Sequence, residues 1–127
     1  MHTVLVVEDE PSVLMFLEEG LEERGYDVVT ARSGGEALSI LGSSIYDVSV
    51  LVTDIRIGEG LDGWDIARGA REITPELPIV YVTGDSALSW SEEGVPNSLL
   101  LQKPFDRTQL EAAIETLLAR SESSASG

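Results

Sequence analysis

Short apolar runs, most of them rich in β-branched residues, alternate with longer stretches of helical spacing along the chain, and this alternation limits the fold more than any other feature. The runs that predict strands are residues 3–7, 27–30, 48–53, 79–83 and 99–102. Several of them are apolar at consecutive positions, as is typical of parallel strands that are covered on both faces. The sequence therefore predicts a layered α/β fold rather than an all-helical or all-β one.

Helix start signals fall between these runs. Ser33 with Glu36 forms a capping-box pattern that opens a helix, and Asp106 with Gln109 opens the last helix in the same way. The fourth predicted helix is the shortest, since it begins near residue 85 and must end by residue 94, with a proline soon after. Each predicted strand is therefore followed by a predicted helix.

Five strand-helix repeats predict a parallel sheet with helices on both faces. Right-handed crossovers leave few arrangements, and we predict a flavodoxin-like, doubly wound (βα)5 sheet with strand order 2-1-3-4-5. The domain is expected to span residues 1–120, and the Ser-rich residues 121–127 to form a flexible C-terminal tail. Ligands of such sheets bind at the carboxyl ends of the strands, so candidate functional residues are sought there.

The charge balance excludes several classes of function. Eight Lys and Arg residues against 23 Asp and Glu give a net charge of −15, which repels nucleic-acid backbones and anionic lipid. The chain has no cysteine and one histidine, His2, so disulfides, thiolate catalysis and histidine triads are excluded. Neither a signal peptide nor a membrane-spanning segment is recognisable. We expect a cytoplasmic protein that binds neither nucleic acid nor membranes.

Charged side chains stand at the carboxyl ends of the predicted strands. Glu8 and Asp9 follow the first strand, Asp54 follows the third, and Lys103 follows the fifth. Strands 1 and 3 are neighbours in the predicted order, so Glu8, Asp9 and Asp54 should share one pocket. Three carboxylates there repel one another, and at least one holds a proton unless cations are supplied. Lys103 and a divalent ion would neutralise the cluster, which predicts an oxygen-ligated Mg²⁺ site.

Each of these residues also has a simpler interpretation on its own. Glu8 and Asp9 suit the N-terminus of the following helix. Asp54 suits a turn, and Thr83 with the Gly and Asp after it suits a helix cap. The combination favours a functional site, because four independent strand ends would each require a coincidence.

The residues that carry a resemblance to a known family are Glu8-Asp9, Asp54, Thr83 and Lys103-Pro104-Phe105, with Asp62-Gly63 in the loop after Asp54. In this order and spacing they resemble the receiver domain of two-component response regulators, from residue 3 to about residue 120. The resemblance implies that Asp54 accepts a phosphoryl group from a histidine kinase or a histidine phosphotransferase. It also implies Mg²⁺ as cofactor, held by Glu8, Asp9, Asp54 and the backbone carbonyl of Arg56.

The resemblance further implies that Lys103 and Thr83 contact the phosphoryl oxygens and that the Lys103–Pro104 peptide is cis. The expected readout residues are Thr83, Leu100 and Trp90. Leu100 occupies the position where many receivers carry a Tyr or Phe, and Trp90 is interpreted as partly buried. The face formed by the fourth helix, the fifth strand and the fifth helix is expected to contact a downstream protein target or to form a homodimer.

Two departures from the family pattern stand close to the predicted site. Glu8 replaces the first residue of the usual pair of aspartates, and an oxygen ligand is retained. The loop 55–63 lacks the usual Met-Pro and contains two glycines before residue 63, so we expect it to be mobile around the metal.

We therefore expect a stand-alone phospho-accepting receiver that acts by protein contact or by onward phosphoryl transfer. It is not expected to be an enzyme beyond transfer to, and hydrolysis from, its own Asp54. A receiver-shaped adaptor that is not phosphorylated is the main alternative. A phosphatase of the haloacid dehalogenase type would need a second Asp where Arg56 stands, and a nucleotide-binding module would need a Gly-rich loop after the first strand.

Overall fold

The computed structural model describes residues 2–58, 60–84 and 94–126 of the protein, with side chains as far as Ser121. Its strands are β1 (Thr3–Val7), β2 (Asp27–Ala31), β3 (Val48–Asp54), β4 (Ile79–Thr83) and β5 (Ser98–Gln102). They form one parallel sheet in the order β2-β1-β3-β4-β5. The predicted fold class and strand order are confirmed, and each observed strand end lies within one residue of its predicted position.

The described helices are α1 (Pro11–Glu23), α2 (Gly34–Gly42), α3 (Gly63–Ile73) and α4 (Arg107–Ser126). Both predicted capping boxes cap their helices: the Ser33 hydroxyl accepts a bond from the Glu36 amide, and Asp106 and Gln109 exchange two bonds of 2.9 Å. The predicted fourth helix falls on residues 85–93, which lie outside the described residues. No described helix is both long and apolar enough to cross a membrane.

The last helix extends further than the sequence suggests. α4 is helical through Ser126, although a flexible tail is predicted from residue 121. The domain boundary at residue 120 stays a prediction.

Two apolar layers cover the sheet, because successive side chains of a strand point to opposite faces. On one face, Leu51 and Tyr81 pack with residues of α2 and α3. On the other face, Val50, Val52 and Val80 pack with residues of α1 and α4. Burial on both faces is the reason that these strands are apolar at consecutive positions.

Strand register brings the carboxyl ends to one edge of the sheet. Asp54 pairs with Val82, and Thr83 pairs with Gln102. The amide of Lys103 donates to the carbonyl of Thr83 at 2.7 Å, which ties the ends of β4 and β5 together. Glu8 after β1, Asp54 at the end of β3 and Lys103 after β5 therefore face one shared region.

Candidate functional site

One lysine ammonium lies between two carboxyl groups at this edge. The Nζ of Lys103 is 2.8 Å from Oδ2 of Asp54 and 3.6 Å from Oε1 of Glu8. The Asp54 side chain is only 11% exposed and that of Glu8 only 4%. Three residues that are distant in the chain thus meet, as the sequence predicts, and the two carboxyl groups are largely shielded from solvent.

The Glu8 side chain is buried and is held by the backbone amides of the two residues that follow it. Its Oε2 accepts bonds from the amides of Asp9, at 3.0 Å, and Glu10, at 3.3 Å. Burial, and then the charge of Asp54, raise the pKa of Glu8 from an ordinary value of 4.5 to about 7. Glu8 is therefore the carboxyl that retains a proton near neutral pH when no divalent cation is present, in agreement with the sequence-based expectation.

Asp54 is oriented by three donors. Lys103 bonds one carboxylate oxygen, and the amide of Arg56 bonds the other at 3.2 Å. The hydroxyl of Thr53 donates to the Asp54 backbone carbonyl at 2.9 Å. Burial by itself lowers the pKa of Lys103, but the hydrogen bond and charge of Asp54, with the charge of Glu8, outweigh it and raise that pKa. Lys103 is consequently a fixed positive charge beside the Asp54 carboxylate.

The chain that leaves Asp54 is anchored by Gly63, which the sequence places in the family resemblance but not among the predicted site residues. The amide of Gly63 donates to the carbonyl of Ile55 at 2.7 Å. A Cβ on Gly63 would lie 2.5 Å from the Asp54 carbonyl oxygen and 2.7 Å from the Ile55 Cα. Only glycine allows α3 to begin this close to the Asp54 backbone. The sequence marks Asp62-Gly63 as a helix start and as part of the family resemblance, but it does not indicate this contact.

The acidic side of the site has two further neighbours that the sequence did not indicate. The Arg32 guanidinium donates to the Asp9 carbonyl at 3.3 Å, which links the end of β2 to the segment after β1. Gly58 has a positive φ of 48°, and a Cβ on it would lie 3.4 Å from Oδ2 of Asp9. No local pattern marks either contact, because each joins segments that are far apart in the chain.

The other predicted site residues are placed as follows. Thr83 is buried at the end of β4, at the same edge as Asp54. Leu100 is partly buried against the core layer that contains Tyr81, and the Lys103–Pro104 peptide is cis, as predicted. Arg56 is exposed next to Asp54. Trp90 lies outside the described residues.

The predicted metal ligands Glu8, Asp9, Asp54 and Arg56 stay predictions. Among residues 2–58, 60–84 and 94–126, no three acidic or histidine side chains are placed to hold a metal ion between them. The Glu8 carboxyl is engaged by backbone amides and Lys103. Mg²⁺ binds oxygen ligands through one or two carboxylates and keeps several waters, so the carboxylates of Asp9 and Asp54 with the Arg56 carbonyl remain a fitting donor set.

Residues 4–115 match the family model of the response regulator receiver domain. The chain belongs to this family. The receiver is 34% identical over 120 residues to the response regulator receiver protein CpdR of Brucella abortus, covering 93% of this chain and 98% of that protein. It is also 34% identical over 127 residues to the transcriptional regulatory protein PcoR of Escherichia coli, of which it covers 55%. It spans between about a quarter and about a half of the length of several such relatives.

Solved structures agree with this assignment. A response regulator receiver protein from Sinorhizobium medicae superimposes with a TM-score of 0.89 at 42% identity, over 93% of this chain and 94% of that one. The receiver domain of the sensor histidine kinase PA1611 from Pseudomonas aeruginosa has a TM-score of 0.80 at 26% identity, over 93% and 98%. That structure holds a magnesium ion in its active-site cleft. The protein is a receiver domain of two-component systems, and Mg²⁺ is the metal typical of the family.

Proposed function

We propose that this receiver accepts a phosphoryl group on Asp54 from the phosphohistidine of a histidine kinase or a histidine phosphotransferase. The observation that carries the proposal is the 2.8 Å contact between the Lys103 ammonium and the Asp54 carboxylate at the carboxyl edge of the sheet. A lone carboxylate repels a phosphoryl group, and an adjacent fixed cation offsets that repulsion. Asp54 is thereby suited to act as a nucleophile toward phosphorus.

In the proposed reaction a carboxylate oxygen of Asp54 forms a bond to phosphorus while the bond between phosphorus and the donor imidazole nitrogen breaks. The electron pair of the broken bond returns to the imidazole, and the product is an aspartyl phosphate. Phosphoryl transfer depends mainly on positioning and on neutralised phosphoryl oxygens. Lys103 supplies one positive charge, and the Arg56 amide keeps the Asp54 carboxylate in a fixed orientation.

The remaining roles follow from residues at the same edge. When bound, Mg²⁺ neutralises phosphoryl oxygens, and Asp9, Asp54 and the Arg56 carbonyl would hold it. The hydroxyl of Thr83 donates to a further phosphoryl oxygen. The reaction is confined to the receiver's own Asp54, and the signal passes on by protein contact or by onward transfer.

An exposed apolar patch on α1, formed by Met15 and Phe16, is the proposed contact for the phosphoryl donor. Their side chains are 59% and 42% exposed, and α1 begins directly after the acidic residues of the site. The Arg107 guanidinium lies 4.8 Å from the centre of the Phe16 ring, which holds the ring in place. Because the chain carries a net charge of −15, a donor with a basic rim around an apolar centre is favoured.

Mg²⁺-dependent labelling by acetyl phosphate, followed by intact-mass spectrometry, tests the central proposal. The wild-type protein should gain one phosphoryl group, and Asp54→Asn should gain none. Asp47→Asn is the matched control, since Asp47 is an exposed carboxylate just before the same strand, β3. Unlabelled wild-type protein, or equal labelling of Asp54→Asn, would reject the proposal and favour the adaptor function.

Transfer from phosphorylated donor proteins tests the proposed contact separately. Phe16→Ala should slow transfer from the protein donor and leave acetyl phosphate labelling unchanged. Ile45→Ala is the control, because Ile45 is 81% exposed but precedes β3, at the opposite edge of the sheet. Equal effects of the two substitutions on protein-to-protein transfer would exclude the α1 patch as the donor contact.

A further inference from the structure

A cavity of about 130 Å³ lies at the amino edge of the sheet, opposite the edge that carries Asp54. Pro78 and Asn97, which directly precede β4 and β5, form part of its wall. The side chains of Arg71 from α3 and Arg120 from α4 line it as well. Because α3 and α4 cover opposite faces of the sheet, the two guanidinium groups reach one cavity only in the folded chain.

The Arg71 guanidinium is oriented by two backbone carbonyls. Its Nε donates to the carbonyl of Leu77 at 2.7 Å, and its Nη2 donates to the carbonyl of Asn97 at 3.4 Å. A guanidinium has five N–H donors, so these bonds fix the group and leave other donors for a ligand. Burial lowers the pKa of Arg71, and the nearby charges, that of Glu76 among them, do not offset this effect. The cation therefore lacks a full counter-charge.

Arg120 is the second cation of the cavity. Within residues 2–58, 60–84 and 94–121, its guanidinium has no hydrogen bond or ion pair. Carboxylates are plentiful in a chain with a net charge of −15, and several other basic side chains are paired with them. These paired side chains are Arg24, Arg68, Lys103 and Arg107. The five donors of Arg120 are thus free to bind a ligand.

The wall of the cavity has a net positive charge. Against the two arginines, Glu76 is the one carboxylate among the described residues that line it. Glu76 forms no ion pair with either arginine in the part of the chain that the structure describes. Pro75 and Leu117 add apolar surface, which screens a charge less than water does. An anion that enters the cavity would therefore form strong, charge-assisted hydrogen bonds.

We propose that this cavity binds a small oxyanion, with Arg71 and Arg120 donating to its oxygens. Planar guanidinium groups match the paired oxygens of phosphate and carboxylate groups. The volume corresponds to about four water molecules, which suits inorganic phosphate or a short dicarboxylate and is too small for a nucleotide. Binding here does not require the phosphorylation of Asp54, which lies at the opposite edge of the sheet.

Titration of ¹⁵N-labelled protein with inorganic phosphate, and separately with succinate, tests the proposal. The buffer contains a chelator, so that no divalent cation links an anion to Asp54. The amides of Asn97 and Ser121 and the Nε resonances of both arginines should shift together, while the Lys103 amide should not. Millimolar affinity is expected, because a few charge-assisted bonds must offset the dehydration of the ion. A shift with phosphate alone would identify a phosphate-type ligand, and a shift with succinate alone would identify a carboxylate.

Arg120→Gln should weaken the binding of phosphate or succinate at least about tenfold, the effect of losing a hydrogen bond to a charged group. The fold should stay intact, because Arg120 bonds to none of the described residues. Arg68→Gln is the matched control, since it removes the same charge from α3, while Arg68 lies outside the cavity and pairs with Asp65. It should bind the ion as the wild type does.

Glu76→Gln tests the opposite sign. It removes the competing carboxylate and should tighten binding about threefold, the size expected of one unit charge acting through water over several ångströms. Unchanged or weaker binding in Glu76→Gln would place the ion outside this cavity and overturn the proposal.

Saturable binding of neither ion would overturn the proposal, as would equal affinities of the wild type and Arg120→Gln. Equal weakening by Arg120→Gln and Arg68→Gln would show that net charge attracts the ion, and would also overturn it. Acetyl phosphate labelling of Asp54 in the same variants separates the two proposals. Arg120→Gln should label at the wild-type rate, and loss of either result leaves the other standing.

Discussion

Replacing Gly63 by alanine should slow the phosphorylation of Asp54 while the domain stays folded. A Cβ at this position would lie 2.5 Å from the Asp54 carbonyl oxygen and 2.7 Å from the Ile55 Cα, whereas ordinary contacts begin near 3.4 Å. Both obstacles are backbone atoms, so rotation of a side chain cannot relieve the overlap. The start of α3 and the end of β3 must move apart by about 0.9 Å in total.

The expected loss of stability follows from two costs and one gain. Overpacking of a buried site costs about 1–3 kcal/mol, and weakening the 2.7 Å bond from the Gly63 amide to the Ile55 carbonyl costs about 1 kcal/mol. Alanine recovers up to about 1 kcal/mol through its higher helix propensity. A net loss of about 2 kcal/mol is smaller than the usual stability of a domain, so the protein should stay folded.

Urea unfolding measures the loss of stability, and acetyl phosphate labelling measures the site. Because Asp54 itself is displaced, labelling should slow by at least about tenfold. Gly35→Ala is the matched control, since Gly35 also lies in the first turn of a helix and a Cβ there meets nothing within 4 Å. Gly35→Ala should label normally. Wild-type stability and labelling in Gly63→Ala would refute the steric argument.

Three further predictions concern the charges and the aromatic wall of the site. The pKa of Glu8 in the folded state is raised from 4.5 to about 7. The protonated Glu8 therefore stabilises the fold below pH 4.5, and this stabilisation is lost as the pH rises through 7. Without metal, the stabilisation amounts to at most about 3 kcal/mol. Glu8→Gln should flatten that part of the pH profile of urea unfolding in chelator, and an unchanged profile would contradict the assignment. Lys103→Gln should slow acetyl phosphate labelling of Asp54 at least about tenfold, since the carboxylate loses its adjacent cation, and a wild-type labelling rate would show that Lys103 is dispensable. In a Trp90→Phe background, Trp64 fluorescence should change on Mg²⁺ titration, and constant emission while calorimetry detects binding would contradict its coupling to the site.

The alternation of strands and helices could be predicted because hydrophobic periodicity and caps are properties of neighbouring residues. The same local signals placed Asp54 and Lys103 at strand ends. Once the order 2-1-3-4-5 was inferred, parallel pairing required these ends to meet at one edge. The sequence alone therefore determined which residues assemble and at which edge of the sheet.

Side-chain direction and partnership were decided only by the tertiary structure. The turn after β1 directs the Glu8 carboxyl to the Asp9 and Glu10 amides, which its place in the sequence does not indicate. The contact of Gly63 with the Asp54 carbonyl and the bond from Val95 to Tyr81 join separate elements. Such contacts depend on the register and spacing of segments that pack together only in the folded chain, and local periodicity contains no information about those distances.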